Sequence, residues 1–382
     1  MPVNMSYRLT WMFLLVVVVG SALAQICTPE WGYEGYSYII NNQSDLDEIA
    51  AKCTTINGSI AMSYNYTGAF HLPNIRNITK GFKWFTILAV SMNDPKPTSI
   101  NLPDLEFLGG SIWFNSLPTL KSFTAPKLKT VGSKAFIDVT QELDLRSLVE
   151  SEYLSVRGDA SSVRLDSLQQ VREQIQICNS DECNSNNSSH GTLDLSLPAL
   201  HDVGHLLLQG RFSSLDTPKL TNISGFGSGS YSILLRSEEG PEIDLSFPEL
   251  KYIQDDSLWL EGSIGSLSMP SLTNLTAWLY IKTYGRLDIN LPFVEAGTMT
   301  LGGNISSVQL PNLKSVGQLQ VNTAASLDCK SLEETIIKAT NASRSPVSCH
   351  VENSAWHLGL NLGAKVALGS VVGVVVGLVM SY

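Results

Sequence analysis

Apolar residues recur along this chain in a nine-position phrase: apolar, any, apolar, Pro, any, apolar, two any, apolar. It reads Phe70, Leu72, Pro73, Ile75, Ile78 in its first copy and Val308, Leu310, Pro311, Leu313, Val316 in its last. The proline slot falls at Pro73, Pro103, Pro126, Arg146, Asp166, Pro198, Pro218, Pro248, Pro270, Pro292 and Pro311. Most copies are spaced 19 to 23 residues apart. Three intervals stretch to 30 or 32 residues and hold turn-forming runs such as 92–98, 179–191 and 225–230. A phrase that returns at this period is the mark of a solenoid, in which each coil buries its apolar side only against its neighbours.

Within a copy the apolar residues alternate, as in a strand, and then space by three around a turn. A second alternating run follows in most copies: Ile112/Phe114, Leu206/Leu208, Ile233/Leu235, Leu258/Leu260, Leu279/Ile281, Met299/Leu301 and Leu319/Val321. Proline cannot donate to a ladder and belongs at a strand end. The pattern therefore predicts an all-β solenoid, a right-handed parallel β-helix of about 11 coils. Stacked at strand spacing, they make a rod roughly 50 Å long. A leucine-rich horseshoe is the rival architecture, but its Asn/Cys ladder position is not visible.

Side chains alternate across a strand, so inward Leu258/Leu260 and Leu279/Ile281 leave Trp259 and Tyr280 outward. Leu207, Leu234 and Trp113 take the same outward slot in other coils, with Trp278 beside Tyr280. Such a stripe of apolar and aromatic residues is a candidate binding face, suited to the apolar faces of sugar rings. Cover by a loop, as ordinary packing, is the competing reading.

The ends carry processing signals. Residues 1–24 read as a secretory leader, with Arg8, an apolar run 11–19 and Ala22-Leu23-Ala24 before the cleavage point. Asn353-Ser354-Ala355, a ten-residue spacer over 356–365 and the apolar run 366–380 match a GPI-attachment signal with Asn353 as the attachment residue. No Lys or Arg follows that run, as a stop-transfer helix would require. The expected organisation is a signal peptide (1–24), an N-terminal cap (25–60), β-helix repeats (61–325), a C-terminal cap (326–353) and a GPI propeptide (354–382).

The full chain has a net charge of −10, and removing Arg8 and Lys365 makes the mature stretch more acidic still. That disfavours nucleic acid or an anionic membrane surface as partner. Ten N-glycosylation sequons lie at Asn42, Asn57, Asn65, Asn77, Asn186, Asn187, Asn222, Asn274, Asn304 and Asn341. Six cysteines in a secreted chain should pair. Fifteen connectivities are open, and the neighbour pairing Cys27–Cys53, Cys178–Cys183, Cys329–Cys349 fits best, because it staples both ends of the solenoid. Those pairs bracket two expected cap helices, one over 44–51 and one over 331–338 with a Ser331/Glu334 capping box.

No catalytic constellation emerges. Asp255-Asp256 is the nearest carboxylate pair and reads as solvated acids at a turn. His201 and His205, four apart on a turn-to-strand segment, do not have metal-site context. No catalytic residue, metal or cofactor is expected. The Leu-Pro-x-Leu coils, Cys-bracketed caps, sequons and GPI signal together resemble the fungal GPI-anchored cell-wall organisation proteins, whose solenoid is similar to receptor L-domains. The resemblance implies a non-enzymatic protein of the plasma membrane and wall, needed for wall integrity and mannoprotein display, and the expected means is binding or scaffolding of wall glycans or mannoproteins. The family often carries a Ser/Thr-rich stalk. Here only His350 to Glu352 separate Cys349 from Asn353, which favours a membrane-proximal position. The alternatives are a wall-remodelling glycosidase or transglycosylase on a β-helix, and a receptor ectodomain.

Overall fold

A computed structural model describes residues 25–32, 35–84, 95–115, 117–179, 191–225, 231–237, 240–254, 257–342 and 345–352. Each copy of the phrase forms one coil with three strand segments, and each segment pairs in parallel with its counterparts in adjacent coils. The expected all-β parallel solenoid is borne out, at about 12 turns. The added turn comes from the N-terminal cap, where Gly35–Ile40 pairs with Ser59–Met62 below the first proline copy.

Three faces result. On the pre-proline face, Ser122–Thr124 lies between Lys96–Asn101 and Glu142–Asp144. A narrow face carries two-residue strands, such as Phe107–Leu108 between Asn77–Ile78 and the Thr130/Val131 pair. The broad face carries the second alternating run, with Ile112–Phe114 set against Phe82–Trp84 and against Ala135, Phe136 and Ile137.

The Leu-Pro-x-Leu core of the phrase is a turn. In coil after coil the first residue's carbonyl accepts from the amide three positions on: Leu105 to Leu102, Leu128 to Ala125, Leu200 to Leu197, Leu250 to Phe247 and Leu272 to Met269. Proline sits at the second position of a four-residue turn, where its fixed φ is pre-set and no donor is needed. Arg146 and Asp166 occupy the same slot, since the position asks only for a φ most residues adopt. Arg146 Nε instead returns to Asp144, 2.9 Å away. Burial penalises that carboxylate, but the Arg146 bonds outweigh the penalty and hold its pKa below the usual range. Both apolar residues of these turns are buried, which is why the phrase keeps them, and only the Pro292 copy departs, with Val294 half-buried. Thr217 fills one such slot fully buried, its hydroxyl without a partner.

The interior is one continuous core. Near its N-terminal end aromatic rings fill it: Tyr66, Phe70, Phe82, Phe114 and Phe123 contact in sequence, with centroids 4.6 to 5.5 Å apart. Further along, Leu and Ile take over. Each such side chain contributes about 2 kcal/mol on burial.

At the corner where the broad face ends, the residues alternate between glycine and a buried polar side chain. The column runs Gly158, Asn179, Gly210, Ser237, Gly262, Thr283, Gly303, Thr323. All four glycines have positive φ, from +93° to +142°. A Cβ on Gly303 would stand 1.9 Å from the Thr283 carbonyl oxygen, and one on Gly210 2.1 Å from that of Asn179. Three of the polar partners bond to backbone: Thr323 Oγ1 donates to the Ile305 carbonyl at 2.7 Å, Thr283 Oγ1 to that of Gly285 at 2.9 Å and Asn179 Nδ2 to that of Gly191 at 3.1 Å. The buried Ser237 hydroxyl has no partner among the described residues.

The pre-proline face repeats the alternation in step. Asp194, Ser214, Asp244, Ser266, Asp288 and Ser307 succeed one another on its outer side. Serine hydroxyls donate to the aspartates: Ser214 to Asp194, Ser266 to Asp244 at 2.6 Å, and Ser307 to Asp288 at 2.8 Å. Each serine coil also carries one extra residue, seen as a shift in register.

Two helices close the ends. α1 (Gln43–Lys52) sends Leu46 and Ile49 into the core, and α2 (Cys329–Thr340) sends Leu332 and Ile336. Cys27–Cys53 and Cys329–Cys349 are disulfides, with Cα–Cα distances of 5.8 and 5.5 Å. Cys178 is disulfide-bonded, and Cys183 lies outside the described residues. Both helices start earlier than expected. Asn42 caps α1 by accepting from the Ser44 amide, and Asp328 caps α2 by accepting from the Ser331 amide. The expected Ser331/Glu334 box is thereby displaced, because Asp328 already satisfies the amide donor that the box relies on. The leader, Asn353, the propeptide, Asn186, Asn187 and Asp255-Asp256 lie outside the described residues. No helix among the described residues is long and apolar enough to cross a membrane.

Candidate functional site

The outward slot of the broad face is a single column. In register it passes through Trp113, Phe136, Ser155, Gln176, Leu207, Leu234, Trp259, Tyr280, Thr300 and Gln320. Trp113, Leu207, Leu234, Trp259 and Tyr280 all occupy it, as their alternation in sequence predicts. Trp278 lies just before Tyr280 on the same face.

These residues do not form one stripe. Ser155 and Gln176 divide the column into two aromatic clusters. The larger centres on Trp259, which stacks on Tyr280 with centroids 3.8 Å apart and an interplanar angle of 22°. Trp278 packs edge-on against both rings at 6.1 and 6.0 Å, and Tyr231 meets Trp259 from the preceding coil at 5.7 Å. Trp278 is 41% exposed, whereas Leu234 is 8% exposed, outward in direction but covered. The smaller cluster is Trp113 stacked on Phe136 at 4.5 Å, with Tyr153 beyond it at 5.1 Å.

The larger cluster has a charged border. Two residues beyond Trp259, Glu261 stands between Arg236 and Lys282 of the adjacent coils, 3.7 and 2.8 Å from their nitrogens. Trp259 Nε1 and the Tyr284 hydroxyl also donate to it, each at 3.2 Å. Burial alone would raise the Glu261 pKa. The bonds from Lys282, Trp259 and Tyr284 outweigh that and lower it, so the group stays ionised. For Tyr280, burial and then the Glu261 charge push the hydroxyl pKa up, keeping it a neutral donor. Indole and phenol faces pack on apolar ring faces while their polar tips bond. The cluster is therefore a fixed platform with donors and acceptors along one side.

Phe136, Tyr153, Tyr231 and Glu261 were not singled out from the sequence. Phe136 could have been found by extending the second alternating run through Ala135/Ile137, where a small inward alanine weakens the signal. Glu261 is visible only once the register sets it between two cations.

The other candidates do not converge. His201 Nδ1 meets Asp202, while His205 is buried with Nδ1 on the Tyr231 carbonyl at 2.7 Å. Among the described residues no group of His, Cys, Asp and Glu could hold a metal ion. All eight sequon asparagines within the described residues are exposed or half-buried, and of these Asn304 lies in a strand that crosses the broad face, Glu295–Gln309, directly after the corner glycine Gly303. Asn77, Asn222 and Asn274 lie on the narrow face, and the others lie at the caps, turns and corners.

Fold and site together define a parallel β-solenoid with disulfide-stapled helical ends and one aromatic-bearing face. Over 350 residues the chain is 22% identical to the protein ecm33 of Aspergillus fumigatus, an overlap of 84% of this chain and 82% of that one. This similarity bears out the resemblance to the fungal cell-wall organisation proteins. Neither a family model nor a solved structure matches.

Proposed function

We propose that this chain is a non-enzymatic, GPI-anchored glycoprotein of the fungal cell surface that helps organise the wall by docking a wall glycan on its broad face. The cell-wall association rests on the likeness to ecm33. The lipid anchor rests on the sequence of residues 353–382. The docking site rests on one observation: Trp259 stacked on Tyr280, with exposed Trp278 beside them and Arg236, Glu261 and Lys282 along the edge.

Sugar rings present C–H faces that pack on aromatic rings, and their hydroxyls bond to flanking polar groups. A rigid sheet carrying such a platform loses little entropy on binding. The platform does not place two carboxylates across a cleft, as glycoside hydrolysis requires.

The test is retention of the secreted protein on insoluble β-glucan, chitin and mannan, alongside Trp259→Ala with Tyr280→Ala, after thermal unfolding shows that the double variant is folded. The expected result is retention on one polymer and at least a tenfold loss in the variant. Failure of the wild type on all three polymers would overturn the docking reading. Release of reducing ends or transfer of glucan by the pure protein would replace it with the wall-remodelling alternative.

A further inference from the structure

The narrow face carries its own outward column: Thr55, Asn77, Phe107, Thr130, Glu150, Gln170, Asp202, Asn222, Tyr252, Asn274, Glu295 and Ser315. Three positions are sequon asparagines. Two are large aromatics left bare, Phe107 at 41% and Tyr252 at 54% exposure. Phe107 follows Asn77 by one coil, and Tyr252 sits between Asn222 and Asn274.

The asparagines share a direction. Asn77 Nδ2 donates back to Thr55 Oγ1 at 3.2 Å, and Asn222 Nδ2 donates back to Asp202 Oδ1 at 2.7 Å. Each side chain leans toward the preceding coil. Asn222 thus leans away from Tyr252, which leaves Asn274, one coil further and about 4.8 Å along the ladder, as the sequon beside that ring. Phe107 has its sequon on the other side, leaning away from it.

We propose that Asn274 carries an N-glycan whose first sugars pack on the ring of Tyr252, making this tyrosine an internal docking surface for the chain's own carbohydrate. The donor is a lipid-pyrophosphate-linked oligosaccharide. Nδ2 of Asn274 bonds to C1 of its reducing-end sugar, the C1–O phosphate bond breaks, lipid pyrophosphate leaves, and Nδ2 releases one proton to a base of the transferase. The nitrogen keeps its other proton. Asn274 is exposed and Thr276 completes the sequon, so the acceptor is accessible. An amphipathic ring standing more than half exposed between two sequons gains a partner in the C–H face of the first sugar. The glycan then lies along the narrow face, away from the broad-face aromatics. This inference does not depend on glycan docking there.

The test uses the full chain secreted from a yeast host. Glycopeptide mass spectrometry reads occupancy of Asn274, and hydroxyl-radical footprinting reads access to Tyr252 in the native protein and in Thr276→Ala, which removes the sequon but keeps Asn274. The expected result is an occupied Asn274 and a several-fold rise in Tyr252 oxidation in the variant. Phe107 oxidation should not change between the native protein and Thr79→Ala, which removes the Asn77 sequon. An unoccupied Asn274, or equal Tyr252 oxidation with and without the sequon, would overturn the proposal. A rise at Phe107 equal to that at Tyr252 would also overturn it, because the directional lean would then carry no weight.

Discussion

At the scale of single residues, this fold depends on a few places where only hydrogen fits. Gly303 combines a φ of +93° with a site for Cβ already taken by the Thr283 carbonyl oxygen, 1.9 Å away. Gly68 has nearly the same φ, +87°, with nothing within 4 Å of its missing Cβ. The two separate conformational strain from steric conflict. Gly68→Ala should cost about 1 kcal/mol, the strain of a left-handed alanine. Gly303→Ala should cost about 3 kcal/mol or more, since two coils must also move apart. Urea unfolding of both variants checks this, and equal losses would mean that the corner relaxes freely.

At the scale of elements, the apolar phrase was the clearest text in the sequence. Leu-Pro-x-Leu encodes a turn with both leucines buried, and alternation on either side encodes the strands, so the inner face and every coil but the one in the N-terminal cap followed directly. The caps were less legible. Whether Ser331 or Asp328 starts α2 depends on which side chain reaches the first free amides, and both residues are good caps. The aromatic face was legible residue by residue from alternation, but its division into two clusters was not, because Ser155 and Gln176 enter the column only when register is known. The caps also support a prediction. Opening Cys27–Cys53 by Cys→Ala at both positions releases a constraint worth about 3 kcal/mol in the unfolded chain. In a solenoid that loss should stay near its end. Hydrogen exchange should show lost protection across α1 and residues 55–78, with residues 257–323 unchanged. Uniform loss along the rod would show that the coils unfold as one unit.

At the scale of the whole molecule, the two alternations share one phase. Coils bearing Asp194, Asp244 and Asp288 end in Gly210, Gly262 and Gly303, while those bearing Ser214, Ser266 and Ser307 end in Ser237, Thr283 and Thr323. The C-terminal half is therefore written in couplets, and its length is quantised. Excising residues 264–286 would stack Asp288 on Asp244, two like charges facing across a ladder, and bring Gly303 against Gly262. Excising residues 243–286 removes twice as many coils yet rejoins Asp288 to Ser214 and Gly303 to Ser237. The larger deletion should be secreted at higher yield and melt at a higher temperature than the smaller one. In that sense the rod can be shortened or lengthened only two rungs at a time, like a rhyme scheme that loses its sense when a single line is dropped.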